Sequence, residues 1–343
     1  MNNVMSDLEK IIPEGIEMLR IRYRLLQSIY ENQPVGRRKL SQLTTYAERL
    51  IRNEIESLVR QELVMVSSNG VSLTLQGEKN LDKLYAPMYQ LEQYSELEDE
   101  IAKLFNLNRA IVVKGNSDEN ENTKWRLSKA GSQLFKDLAQ DDFIIAITGG
   151  TTISRMIDSL YVKTGSYKNL TIIPARGSLG QDIECEANNI AIRLSHKVEG
   201  VYELLNIPDK LGEATIHTIR QEPYIQHILQ MMQKSDMIIF GLGDAFEMAQ
   251  KRQESCSTFN ILNQHEAVLE VFRYYFNKEG TVIHNTSTIG LDLDEVKRIP
   301  YRIAIAGGKK KAVAIYAARN LLKGSYLVLD EAAAKAVIEI ANK

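Results

Sequence analysis

Gly149, Gly150, Thr151 and Thr152 have the clearest chemical purpose in this chain. They close the strand-length run Asp142–Thr148, and a helical spacing follows at Ile153, Met156, Ile157 and Leu160. A strand, a tight turn and a helix start put free backbone N–H groups and the positive end of a helix dipole in one place. Glycines let the backbone come close to a ligand, and two hydroxyls can donate to phosphate oxygens. The residues predict a phosphate-binding loop. The pattern is neither GxxxxGK[ST] nor GxGxxG, so it points to no nucleotide. An ordinary strand-to-helix turn with a Thr cap is the other reading of the same residues.

Three more strand ends carry residues of the same kind: Arg176-Gly177, Gly241-Leu242-Gly243-Asp244, and Gly307-Gly308-Lys309-Lys310-Lys311. In open parallel sheets ligands sit at the carboxyl ends of the strands, so these turns converge if their strands are neighbours. Arg176, Lys251 or Arg252, and Lys311 then point toward the Gly149–Thr152 loop, which suits a sugar phosphate, including one with two phosphate groups. Catalysis needs more. The five histidines, His196, His217, His227, His265 and His284, are scattered with no metal spacing and no acid–base partner. Asp244, Glu270 and Asp330 are acids near strand ends, and Glu270 suits sugar hydroxyls better than proton transfer.

The elements that must position these residues alternate from about residue 105 onward. Strands are predicted at 110–114, 142–148, 170–175, 201–205, 236–240, 281–284, 302–306 and 326–329, with helices between them. Unbroken apolar strands separated by helices predict a parallel sheet covered on both faces. Upstream, Leu84, Met88, Leu91, Tyr94, Leu97, Ile101 and Leu104 follow helical spacing. Pro87 lies within that series, which predicts two helices or a restart at Pro87. This seam either packs on its own domain or mediates self-association.

The first eighty residues carry a different pattern. A helical run from about 7 to 32 is interrupted or restarted at Pro13. A short helix within 34–43, a turn at 44–46 and a second helix at 47–58 have the layout of a helix-turn-helix. Leu63–Leu75 alternates about an Asn69-Gly70 turn, which is a β-hairpin, so the whole is a winged helix. Between Gly36 and Arg60 there are six basic residues against three acidic ones. Thr44, Thr45 and Tyr46 stand at the entrance of the second helix, and Arg49, Arg52 and Asn53 lie opposite its apolar stripe. Arg and Asn can bond base edges in pairs, while Arg37, Arg38 and Lys39 suit DNA phosphates. A protein-docking winged helix is the alternative.

At 343 residues the chain exceeds one ordinary domain. The expected organisation is a winged helix-turn-helix domain at 1–83, a helical linker at 84–106 and a phosphosugar-binding α/β domain at 107–343. Its composition, 44% hydrophobic and 25% charged, is that of a globular protein. No run approaches the roughly 20 apolar residues of a membrane span. Cys185 and Cys256 stand far apart, outside any zinc or disulfide spacing, which suits a reducing cytoplasm.

With these features together, the chain resembles the SorC/DeoR-type family of bacterial sugar-responsive transcription regulators. The matching stretches are Pro34–Arg38, Ala146–Thr152, Pro174–Gly177, Met248–Arg252, Tyr274–Asn277 and Ala306–Gly308. The resemblance implies a doubly wound, mostly parallel domain, similar to phosphosugar isomerases, that senses rather than turns over its ligand. It implies fructose-1,6-bisphosphate as effector with no further cofactor or metal, the operator of a glycolytic operon as DNA target, repression relieved by the effector, and a homodimer or homotetramer. Carried over, Gly149, Gly150, Thr151 and Thr152 hold one phosphate. Arg176, Lys251, Arg252 and Lys311 place charge around both phosphates, and Glu270 takes a sugar hydroxyl. Two positions depart from the family pattern: Lys251 stands in place of an arginine, and Glu186 in place of a neutral amide. A phosphosugar isomerase or deaminase with an accessory winged helix, and a regulator sensing another phosphosugar, are the competing functions.

Overall fold

The computed structural model describes residues 4–91, 95–178, 182–208 and 211–342. It divides into two compact units, Met1–Gln93 and Tyr94–Lys343. The segment 84–106, expected as a linker, is shared between them.

The first unit begins with helices α1 (Val4–Ile11) and α2 (Pro13–Asn32). Pro13 opens α2 at its first turn, where its missing N–H has no partner to lose. Helices α3 (Arg37–Thr44) and α4 (Glu48–Arg60) follow, with Thr45 in the left-handed conformation at the turn. Strands β1 (Val64–Ser67) and β2 (Gly70–Leu73) form the antiparallel hairpin, and Val35 bridges to Val71 as a short third rung. Leu25, Leu26, Ile29, Leu40, Ile51 and Leu58 are fully buried in this unit. Arg22 of α2 donates from Nε to Glu54 of α4 at 2.7 Å and from Nη2 to Ser57 Oγ at 3.1 Å, pinning the second helix of the motif. Helix α5 (Leu75–Gln90) runs through Pro87 rather than restarting there. Pro87 lies in its last turn, where one lost hydrogen bond is cheap. Leu84, Met88 and Leu91 pack with Ile16, Leu19 and Tyr23 of α2, so this part of the seam serves its own unit.

The second unit is built on seven strands: β3 (Arg109–Val113), β4 (Ile144–Ile147), β5 (Thr171–Pro174), β6 (Val201–Tyr202), β7 (Met237–Gly241), β12 (Tyr301–Ile305) and β13 (Tyr326–Asp330). Their order is β3-β13-β12-β7-β4-β5-β6, and every neighbouring pair is parallel. The predicted strand at 201–205 shrinks to two residues. The seam continues here: Ile101 is buried in the core and Leu97 packs against it, whereas Tyr94 lies outside the described residues. One expectation is corrected. The strand predicted at 281–284 is β11 (Val282–Asn285), and it belongs to a separate antiparallel sheet with β8 (Gly243–Asp244), β9 (Ala267–Val271) and β10 (Tyr274–Asn277), in the order β11-β10-β9-β8. The fold is thus a doubly wound parallel sheet with an antiparallel insert between β7 and β12. No helix among the described residues is long and apolar enough to cross a membrane.

Candidate functional site

In the first unit the candidate DNA-reading residues divide by exposure. Arg37, Arg38, Lys39, Thr45, Arg49, Arg52 and Asn53 are exposed. Arg52 pairs with Glu56 at 3.1 Å on the open face of α4. Tyr46 is half-buried, with the Arg24 guanidinium 5.7 Å above its ring. Thr44 is a correction to the expected set, because it is fully buried. Its hydroxyl donates to the Leu40 carbonyl at 2.7 Å, which ties down the last turn of α3. Thr44 therefore shapes the turn, and its neighbours face outward.

In the second unit, strand order reverses between β4 and β7, where the chain has wound outward in both directions. That is the switch point at which a crevice opens beyond the strand ends. A cavity of about 210 Å³ lies there. Gly149 to Ile153 after β4, Arg176 and Gly177 after β5, Gly241 to Gly243 after β7, and Lys311 beyond β12 all line it. Glu270 and Phe272 come from the antiparallel insert, and Lys251 from the helix Ala245–Lys251.

Two helix N-termini open onto this cavity. The helix Thr151–Ser159 starts after Gly150, and the helix Ala187–Val198 starts after Glu186; neither start has a side-chain cap. The Cys185 carbonyl accepts the Gly150 N–H at 2.8 Å and joins the two turns. Gly150 sits at φ +120°, a conformation that favours glycine. A Cβ on Gly149 would lie 2.6 Å from the Cys185 oxygen, so the close approach also needs glycine. Two open N-termini present N–H donors and positive dipole ends to one point, which favours an anion.

The charged groups have two roles. Arg176 and Arg252 both donate to the Glu270 carboxylate and to the Phe272 carbonyl, with Arg176 Nη1 3.3 Å from Glu270 and Arg252 Nη2 2.9 Å from Phe272. Arg252 is buried and does not line the cavity, which corrects its expected place around a phosphate. It holds Glu270 from behind. Burial pushes the Glu270 carboxyl up to about 7, against the pull of Arg176. Lys251 is exposed at the cavity wall, and Lys311 reaches the Leu242 carbonyl at 3.4 Å with its affinity for a proton lowered by burial. Glu186 lines the cavity and accepts from Ser178 Oγ at 2.8 Å.

Two other turns proved structural. Asp244 caps the helix Ala245–Lys251 through the Phe246 and Glu247 N–H groups. Asp330 is fully buried and accepts from the N–H groups of Gly308, Ser117 and Ala333, so the Gly307-Gly308 turn is tied to it. Sequence reasoning missed Asp182, Cys185, Ala187, Glu247 and Phe272 as lining residues. The apolar spacing Ile190, Ala191, Leu194, Val198 after Glu186 was the available signal for the second helix start. No histidine lines the cavity. The Cys185 thiol is pushed up to about 11, chiefly by burial and then by Asp182, so it stays protonated at neutral pH. The arrangement binds an anion and offers little for proton transfer.

Comparison with known proteins gives the same division. Residues 89–339 match the family described as "Putative sugar-binding domain", and residues 18–88 match the CggR N-terminal DNA binding domain. The chain is 34% identical to the central glycolytic genes regulator of Bacillus subtilis, over 98% of this chain and 99% of that one. It is 33% identical to the protein of the same name from Priestia megaterium, over the full length of both. A SorC family transcriptional regulator from Enterococcus faecalis superposes with a TM-score of 0.66 at 33% identity, over 71% of this chain and 99% of that one. The full-length sorbitol operon regulator SorC of Klebsiella pneumoniae shares the fold, with a TM-score of 0.67 at 17% identity over 93% and 98%. A winged helix with an exposed basic face, an anion cavity at a switch point and these relatives place the chain in one group: it belongs to the SorC-type family of sugar-binding, DNA-binding transcription regulators.

Proposed function

We propose that the chain represses a glycolytic operon in the cytoplasm, and that fructose-1,6-bisphosphate bound in the switch-point cavity relieves the repression. The observation that carries this reading is the pair of uncapped helix N-termini facing one cavity together with Lys251 and Lys311. One phosphate sits on the Gly149–Thr152 turn, and the lysines neutralise the second. Glu270, fixed by two guanidinium groups, takes a sugar hydroxyl. The name of the relatives, central glycolytic genes regulator, supports the choice of operon. Two or more chains read paired half-sites, so a change of spacing between winged helices on effector binding weakens the complex with DNA. The test is a thermal-shift series with glycolytic phosphosugars, followed by titration of glycolytic promoter DNA with and without the active one. A ligand that binds only the folded state raises the midpoint. A shift confined to fructose-1,6-bisphosphate, with loss of DNA binding, is the expected result. Absence of any shift would sink the sensor.

A second reading has one observation in its favour. Glu186 puts a carboxylate on the cavity wall and Lys251 offers a point charge in place of a planar fork. These suit a different phosphosugar, and the same panel separates the two by which compound moves the midpoint.

A further inference from the structure

We propose that the second unit holds another oxyanion site, of the phosphate class, in a cavity of about 240 Å³ that shares no lining residue with the one at the switch point. Its walls are the end of the helix Glu213–Ile219, the β9–β10 turn and the segment after β11. Among the described residues, His217, Arg220, Arg273, Asn285 and Ser287 line it and no carboxylate does; Glu254 stands behind the wall, accepting from the Thr286 hydroxyl at 3.0 Å.

Arg273 is held in place from two sides. Its Nη1 donates to the Thr288 carbonyl at 3.2 Å, and its Nη2 donates to the Tyr274 hydroxyl at 2.9 Å, with the Tyr274 ring 5.0 Å from the guanidinium carbon. Each Nη carries a second N–H beyond these two bonds, so the fixed guanidinium keeps donors for an oxyanion. The side chains of Arg220 and His217 make no hydrogen bond or ion pair among the described residues, so both are available to a ligand. A fixed guanidinium, a second one at the rim, an imidazole and neutral donors from Asn285 and Ser287 suit a tetrahedral, multiply charged oxyanion better than a planar one.

Equilibrium dialysis of the full chain with labelled orthophosphate at fixed ionic strength tests this. Gly149→Ala, Lys251→Gln and Lys311→Gln together first weaken both halves of the switch-point cavity, and the phosphate still bound is counted. One site per chain should remain. Adding Arg220→Gln, an exposed side chain without contacts, should weaken that site at least about tenfold, the cost of one charge-assisted hydrogen bond. Arg273→Gln should do the same, with an unchanged thermal midpoint for Arg220→Gln showing that the fold is intact. The proposal is overturned if the Gly149→Ala, Lys251→Gln, Lys311→Gln chain binds no phosphate, or if its phosphate affinity is the same with Arg220→Gln present.

Discussion

At the scale of single residues, the switch-point cavity depends on contacts that leave no room. Gly149 passes so close to the Cys185 carbonyl that a methyl group must displace it, and that carbonyl holds the Gly150 N–H. Gly149→Ala is therefore expected to weaken binding of the effector phosphosugar by about tenfold or more, a local misfit of order 1–3 kcal/mol. Thermal-shift titration of the variant measures it, and unchanged affinity would show that the turn does not face the ligand. Glu270 makes a separate case. Its carboxylate is shared by two guanidinium groups with little or no access to water. Glu270→Leu leaves both charges buried and unpaired, which costs about 3–5 kcal/mol. Urea unfolding should report that loss in the second unit.

At the scale of elements, the outer strand β3 is protected by a side chain. The helix Ser95–Phe105 places Glu98 so that its carboxylate accepts the Val112 N–H at 2.8 Å, on the strand that ends the sheet. An edge N–H left open invites pairing with another chain. Burial raises the Glu98 carboxyl from 4.5 to about 7, opposed by the Val112 N–H and by Arg109. The folded state thus holds this proton more tightly than the unfolded chain. The resulting stability is fully present below the unfolded value of 4.5 and is lost as pH rises to about 7. Glu98→Gln keeps an acceptor and removes the titration. The thermal midpoint of the natural chain should therefore fall more between pH 4.5 and 7.5 than that of Glu98→Gln. Equal slopes would show that Glu98 is not the responsible group.

At the scale of the molecule, two units with separate cores divide the labour of reading DNA and binding a ligand. The fragment 94–343 contains the whole switch-point cavity, so it is expected to bind the phosphosugar with the affinity of the full chain in the absence of DNA. Coupling appears only when both units are present. If the effector weakens promoter binding by some factor, promoter DNA must weaken effector binding by the same factor. Fluorescence anisotropy titrations in both directions measure the two numbers. Unequal factors at equilibrium would rule out the proposed linkage.

The sequence by itself determined the winged helix, the parallel sheet and most of the cavity wall. Each rests on a local signal: helical spacing with a turn at Thr44–Tyr46, the Asn69-Gly70 hairpin, and apolar strands ending in glycines. A doubly wound sheet then brings strand ends together by topology alone, so Gly149, Arg176 and Lys311 could be grouped before their contacts were known. Tertiary structure decided what depends on packing between distant segments. Adjacent in sequence, Lys251 and Arg252 split into a wall residue and a buried partner of Glu270, because one turn of helix faces both the cavity and the insert. Thr44 turned inward as well, buried with its hydroxyl on the Leu40 carbonyl of its own helix, a local bond that the residue types around it do not announce. The antiparallel insert stayed hidden because its hairpin turns at Phe272-Arg273, not at Asn-Gly. Phe272 has a φ of +60°, which is strained for a bulky residue, and its carbonyl is held by Arg176 and Arg252 from far along the chain. No local pattern specifies a turn held in place by two distant guanidinium groups.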